Sequence, residues 1–335
     1  MKKLIKGVLT ALFSLLTLSA IGLYWVYQSV VSYGQMPLKL EAPVEFEVVR
    51  GTSFSQMANA LAQTGAVDEL WKLKLLVKLR PELAKIRSGL YQISPNDTVV
   101  ELLEKLRQGK EMVFTVTLVE GQSIKEWREQ LKQLPRLKWQ EGAFLEVLED
   151  NGDASKLPEG KFYPDTYHYG NGDSVKVILQ QSYQKMQQEL GRAWQERDQS
   201  IPLKSPYELL TMASIIEKET GKASERPWIS AVFTNRLRKG MRLQTDPTVI
   251  YGMGERYQGN ITRKDLREQT PYNTYRIHGL TPTPIAAPSG ASLMAAARPA
   301  DVDYLYFVSK NDGSHIFSKT LTEHNRAVDK YQRNR

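Results

Sequence analysis

The sequence predicts an α+β protein in three parts: an N-terminal transmembrane helix, a small β/α domain, and a larger mixed α+β domain organised around one amphipathic helix. Three observations carry this. Residues 7–27 hold no charged side chain and are mostly Leu, Ile, Val, Ala and Phe, about the length a bilayer-spanning helix needs. A strand, Gly turn, Ser, helix pattern then recurs between Val44 and Arg136. Beyond it, SPYELLTMASIIEKETG (205–221) reads as one helix marked at both ends, and Tyr304–Val308 and His315–Phe317 read as paired strands about an Asn311–Ser314 turn.

Lys2, Lys3 and Lys6 precede the apolar run, and Tyr24, Trp25 and Tyr27 close it. These are the basic flank and the interfacial aromatic belt of a span. The basic flank places residues 1–6 in the cytoplasm and the rest outside, on a single-pass membrane anchor. The run is longer than a signal peptide's apolar core, and Leu18-Ser19-Ala20 is a poor cleavage site. Residues 28–43, with Pro37 and Pro43, read as a linker.

In the small domain, residues 44–136, Val48-Val49-Arg50-Gly51-Thr52-Ser53-Phe54 enters a helix ending near Leu61. Leu118–Ile124, with Gly121 and Ser123, enters one ending near Leu131, and Gly89–Ile93, Pro95 and Thr98 enter Val99–Leu106. Glycine supplies the turn and Ser or Thr the N-cap.

Residues 137–335 form the larger domain. Phe162, Tyr163, Tyr167 and Tyr169 crowd around Pro164-Asp165, as a sugar-stacking wall or as a core hairpin. In the helix at 205–221, Ser205 and Glu208 form a capping box, Pro206 takes the first helical position, and Gly221 supplies a left-handed stop. At about 100° per residue, Leu209, Met212, Ile215 and Ile216 share a face. Glu219 falls in that sector beside Ile215, whereas Glu217 points almost the opposite way. A carboxyl on an apolar face in the last turn meets both desolvation and the negative end of the helix dipole, and both raise its pKa. An acid still protonated near neutrality is what protonating a glycosidic oxygen requires.

Residues 224–239 form the next helix, closed by Gly240. Its apolar stripe is Trp228, Ile229, Val232, Phe233 and Leu237, and Asn235 and Arg236 are either exposed or reach a ligand. Asp246-Pro247 is the cap and first residue of another helix, while Gln244, Thr245 and Tyr251 have no evident local role. The Pro-rich run 271–288 is long for a compact domain, which tolerates such loops mainly where they bind something. Ser292–Ala297 makes a short helix. The last helix starts near Leu321, with Glu323, His324 and Arg326 exposed.

The net charge of +8 over 335 residues favours an anionic partner, but nucleic acid is a poor choice for an exported body. There is no cysteine, which excludes disulfides and thiolate metal sites. His168, His278, His315 and His324 lack ligand spacing, and Gly252-Met253-Gly254 makes no nucleotide loop. No metal and no cofactor are expected.

The runs ASIIEKET (213–220) and AVFTNRLRKGMRLQTDPTVIYG (231–252) resemble the endolytic murein transglycosylase (YceG-like) family. So do Tyr272-Asn273-Thr274-Tyr275, Gly279-Leu280, Pro282, Pro284-Ile285 and Tyr304–Val308, and, more weakly, Glu159-Gly160 and Pro164–Tyr167. Thr281 departs from the family's Gly-Leu-Pro-Pro run. The strand–turn–helix units resemble the glycan-binding LysM module. Glu219-Thr220 resembles the Glu-Ser that closes the acid-bearing helix of lysozyme-like lytic transglycosylases. The resemblance implies a bitopic lyase acting on peptidoglycan glycan strands at the cytoplasmic membrane. It would cleave the MurNAc–GlcNAc bond without water, leave 1,6-anhydroMurNAc ends that terminate nascent strand elongation, and associate with peptidoglycan synthases (penicillin-binding proteins). The catalytic residue it implies is Glu219. Candidates for orienting the sugars are Gln244, Asp246, Thr248, Tyr251, Asn273 and Glu217. Two alternatives stay open: a hydrolase pairing Glu219 with Asp246 or Glu217, and a non-catalytic, membrane-tethered glycan-binding scaffold.

Overall fold

The computed structural model describes residues 2–333. Met1 of the expected cytoplasmic tail, and Asn334 and Arg335 of the expected larger domain, lie outside the described residues. The chain divides into two compact units, residues 1–114 and 115–335.

The first unit opens with α1 (Lys2–Gly34), long and apolar enough over Lys3–Gly34 to cross a membrane. The helix is exposed from Lys3 to Gln28. Its last turn is not linker, contrary to expectation: Val30 and Tyr33 are buried and, with Leu38, join the unit's core. There β1 (Val44–Val48) leads through α2 (Phe54–Gln63) and α3 (Leu70–Leu79) to β2 (Gly89–Ile93) and α4 (Val99–Gln108). β1 and β2 pair antiparallel, from Val44 opposite Ile93 to Val48 opposite Gly89. The entries of α2 and α4 follow their local signals. Gly51 takes φ +89°, and Ser53 and Thr98 close reciprocal capping boxes with Gln56 and Glu101. The core gathers Leu61, Leu73, Tyr91, Ile93, Leu102 and Leu106.

The boundary falls at Phe114, not at the expected residue 136, because the third strand–turn–helix unit gives its strand away. β3 (Phe114–Thr117) pairs with β4 (Thr166–Tyr169), a partner about fifty residues downstream that periodicity does not reveal. Between them run α5 (Ile124–Lys132), with a Ser123–Glu126 capping box, and α6 (Ala143–Asp150). Then follow α7 (Val175–Gln195), α8 (Pro206–Glu219), α9 (Arg226–Arg238), α10 (Asp246–Met253) and α11 (Gly290–Ala297). The hairpin β5 (Tyr306–Ser309) and β6 (His315–Ser318) and the helix α12 (Leu321–Val328) complete the unit. α8 is its pivot. Leu209, Met212, Ile215 and Ile216 are fully buried, in one cluster with Leu190, Ile229, Phe233 and Leu293 from α7, α9 and α11. Phe162, Tyr167 and Tyr169 are buried as well, so these aromatics serve as core and not as a sugar-facing wall.

Candidate functional site

Both ends of α8 depart from the simplest reading. Ser205 caps the helix, its Oγ accepting from Glu208 N at 3.2 Å, but the Glu208 carboxylate accepts from Lys204 N at 2.6 Å, so the box is not reciprocal. The helix stops at Glu219 because Thr220 turns extended (φ −147°, ψ 133°). Gly221 lies beyond the stop and outside the left-handed region. Glu219 is therefore the final helical residue, placed where the chain leaves the core.

Its surroundings come from the segment between α9 and α10. Gln244 adopts φ +54°, which costs a non-glycine residue roughly 1–2 kcal/mol. Gln244 N donates to Thr274 O (3.2 Å), and Gln244 Oε1 accepts from Arg236 Nη1 (3.3 Å). The kink turns the next residue inward. Thr245 N donates to Thr274 Oγ1 (3.0 Å), and the Thr245 hydroxyl donates to Glu219 Oε1. Thr248 sits behind this pair, its hydroxyl donating to Thr245 O at 2.7 Å and lying 2.8 Å from Thr274 Oγ1. Thr245, not Asp246, is the N-cap residue of α10. Asp246 stands in the first turn with its carboxylate free to accept from Tyr275 OH at 2.6 Å.

These groups open onto a cleft of about 500 Å³, lined by Glu219, Arg236, Gln244, Thr245, Asp246 and Tyr275, with Tyr306 and His315 from the hairpin and His324 from α12. Glu219 keeps a partly exposed surface, yet protein surrounds its carboxyl closely enough that desolvation raises its pKa to about 7. The Thr245 hydroxyl opposes that rise, the Asp246 charge adds to it, and Arg236 opposes it. Arg236 is buried and fixed by bonds from Nε to Leu305 O (2.7 Å) and from Nη1 to Leu243 O (2.8 Å). Burial, then the bond to Asp246, pushes the Tyr275 hydroxyl up, so it remains a donor. His324 is half-buried, not exposed as expected. It stacks on Tyr306 at 5.2 Å, and burial together with Arg236 holds its pKa down. His315 Nδ1 lies 2.7 Å from the buried Glu225.

Of the candidates read from sequence, the structure brings Gln244 and Asp246 into the cleft with Glu219. Thr248, Tyr251, Asn273 and Glu217 do not line it. Glu217 is buried on another side of α8, accepting from Arg226 Nη2 (3.3 Å), Ser289 N (2.8 Å) and Ser289 Oγ (2.5 Å). Asn273 staples its own loop, donating to the carbonyls of Asp265, Leu266 and Glu268. Tyr251 donates to Glu159 (3.1 Å), a second buried carboxyl, which burial lifts to about 7. Asn235 ties Val302 and Tyr304 carbonyls. The sequence set Thr245 apart as lacking a local role and left Arg236 open as exposed or ligand-reaching without selecting either, and did not single out Tyr275, His315 or His324 for the site. The first three lie in the runs Arg236–Pro247 and Tyr272–Tyr275 that carried the resemblance. The last two are set by pairing of the hairpin and α12, which no local pattern encodes.

Comparison with known proteins agrees with this architecture. Residues 46–330 match the YceG-like family. A Bacillus subtilis (strain 168) protein named endolytic murein transglycosylase is 31% identical over 312 residues, covering 86% of this chain and 84% of that one. One of the same name from Streptococcus pneumoniae serotype 2 (strain D39) is 23% identical, covering 97% of this chain but 65% of its own length. The crystal structure of a yceG-like protein from Listeria monocytogenes aligns with a TM-score of 0.55 at 30% identity, over 85% of this chain and 99% of that one. With a family match over most of its length and a relative this similar across most of both chains, the protein belongs to the YceG-like family.

Proposed function

We propose that this chain is an endolytic murein transglycosylase that cleaves the MurNAc–GlcNAc bond of peptidoglycan without water, with Glu219 as the proton donor. The observation that carries this reading is the Glu219 carboxyl at the wall of a cleft, lifted by burial to about 7 and held at one oxygen by Thr245. The name borne by its relatives agrees.

The Thr245 hydroxyl occupies Oε1, leaving Oε2 to carry the acidic proton. Glu219 passes that proton to the glycosidic oxygen as the C1–O bond breaks, a step worth ~10²–10⁴-fold. The oxocarbenium-like C1 is stabilised by the 2-acetamido oxygen. The O6 hydroxyl of the same ring then bonds to C1 and returns its proton to Glu219, so the enzyme is regenerated and no water is consumed. Attack within one ring has a high effective concentration. Thr245 and Arg236 favour the ionised carboxyl in between. Gln244 and Asp246 orient the sugar. Thr248 and Asn273 act from behind, bonding the backbone of the cleft residues Thr245 and Tyr275, whereas Tyr251 and Glu217 brace the unit away from the cleft.

α1 anchors the protein, with its lysine-flanked end in the cytoplasm and the cleft in the periplasm. The first unit is read as a LysM-like glycan-holding module, on the strength of its antiparallel ribbon and capped helices. Anhydro ends cannot be extended, which sets the enzyme beside the synthases that elongate the strand. The surplus of basic charge suits the carboxylates of the peptide stems.

Digestion of purified sacculi by the full chain in ¹⁸O-labelled water, read by mass spectrometry, tests the reading. Anhydro ends without label are expected. Reducing ends carrying label would instead mean hydrolysis, with Asp246, in the same cleft, as the second carboxylate.

A further inference from the structure

Within the first unit, α3 has two unlike faces. Leu73, Leu76 and Val77 are buried in the core. Trp71 (54% exposed) and Leu79 (45%) face outward with Lys74, Lys78 and the partly exposed Leu75. The outward residues stand at i, i+3, i+4, i+7 and i+8, so they form one stripe along the helix. The neighbouring cations are engaged: Lys39 pairs with Asp68, and Lys72 with Glu69. Among the described residues, Lys74 and Lys78 form no ion pair, and α3 itself carries no acidic side chain. Leu75 also packs against the core and Lys72 Nζ lies 5.5 Å from the Trp71 ring centre, but Trp71 and Leu79 still leave apolar surface in solvent beside the two lysines.

This helix packs directly on the end of α1. A Cβ placed on Gly34 would lie 3.3 Å from Leu76 Cδ2, and Lys72 Nζ lies 5.9 Å from the centre of the Tyr33 ring. Tyr33 follows the aromatic belt residue Tyr27 by six positions on the same helix, about 9 Å of rise. That distance is within the roughly 8–10 Å over which an anionic surface is felt in physiological salt. Because the last turn of α1 is built into the core, no flexible linker separates α3 from the bilayer.

We propose that the Trp71, Lys74, Leu75, Lys78 and Leu79 face of α3 docks on the anionic phospholipid headgroups of the bilayer that α1 crosses. Trp and Leu side chains enter the interfacial region, where amphipathic rings settle, while the lysines extend to lipid phosphates. The docked stripe fixes the orientation of the first unit against the membrane. The proposal rests on α1 being an anchor, and the test separates the two.

The chain has no cysteine, so single cysteines can carry an environment-sensitive fluorophore in the full-length protein. Three labelled variants are reconstituted in vesicles of phosphatidylcholine, alone or with about a third phosphatidylglycerol, containing headgroup-proximal nitroxide lipid. Leu79→Cys reports the stripe, Leu18→Cys the span, and Gln195→Cys an exposed site on α7. Position 79 is expected to brighten and to be quenched in the anionic vesicles, less so in phosphatidylcholine alone. Adding Lys74→Glu and Lys78→Glu should abolish most of that quenching while circular dichroism stays unchanged. Each lysine is worth roughly fivefold in docked population, so the pair shifts it by about 25-fold or more. Apolar-medium emission at 18 with solvent-like emission at 79 in both lipids overturns the docking and leaves the anchor standing. A label at 79 that responds to soluble glycan strands and not to lipid assigns the stripe to the polymer and overturns it equally. Solvent-like emission at position 18 removes the anchor and the docking together.

Discussion

The raised pKa of Glu219 bears on stability and, in the proposed mechanism, on chemistry. The folded value is about 7 against an ordinary value near 4.5, so the native state binds the proton more tightly than the unfolded chain does. Stability is therefore greatest below about pH 4.5 as far as this group is concerned, and falls as pH rises through about 7. Glu219→Gln, which keeps an oxygen for the Thr245 hydroxyl, should leave stability at pH 4.5 nearly unchanged. At pH 8 it should raise stability by roughly 1–3 kcal/mol. Urea midpoints of both proteins at the two pH values check this. Thr245→Val removes a donor that favours the ionised form, so the alkaline limb of the pH–rate profile should move upward while kcat falls; an unchanged limb would remove Thr245 from the account. Glu219 was legible in the sequence because helical periodicity alone puts it among Leu209, Met212 and Ile215. The buried networks of Glu217 with Ser289, and of His315 with Glu225, were not, since each joins residues about 70–90 positions apart.

At the scale of elements, strong local signals located α2, α4, α5, α8, α9 and α10 and misassigned some of their ends, while α3, α6 and α7 were not read. Ser53, Thr98 and Ser123 behave as read, because a cap needs only its own first turn. Gly221 does not, because the extended Thr220 ends α8 one residue earlier. Gly221→Ala should consequently be nearly neutral: its backbone is outside the left-handed region and open space surrounds the position. Gly160→Ala should cost several kcal/mol. Its φ is +76°, and an added Cβ would lie 2.5 Å from Pro284 Cβ, an overlap that only backbone movement relieves. Ser205→Ala should cost about 1 kcal/mol through loss of the α8 cap. Chemical denaturation ranks the three, and the reverse order for the two glycines would contradict the backbone assigned to them. The Asp246-Pro247 signal was right about a helix and off by one about its cap, and that offset is what leaves Asp246 free for the cleft.

For the whole molecule, the long apolar helix at the N-terminus was legible, and the boundary between the two units was not. Composition marks α1 and the repeated turn marks the small unit, but β3 finds its partner in β4 by tertiary pairing. The two units have separate cores, so two unfolding transitions are expected. Leu73→Ala, at a fully buried site of the first unit, should lower one transition by about 2–5 kcal/mol and leave the other in place; calorimetry resolves them. The proposed function depends on Glu219, one of two carboxyls of the larger unit that burial raises to about 7 and the one that lines the cleft. The most direct test is the pH–rate profile of glycan-strand cleavage by the full chain beside Glu219→Gln. Activity should fall off on the alkaline side near pH 7, with a loss of ~10²-fold or more in the variant. A variant within a fewfold of wild type, or a rate still flat above pH 8, would contradict the proposed role of Glu219.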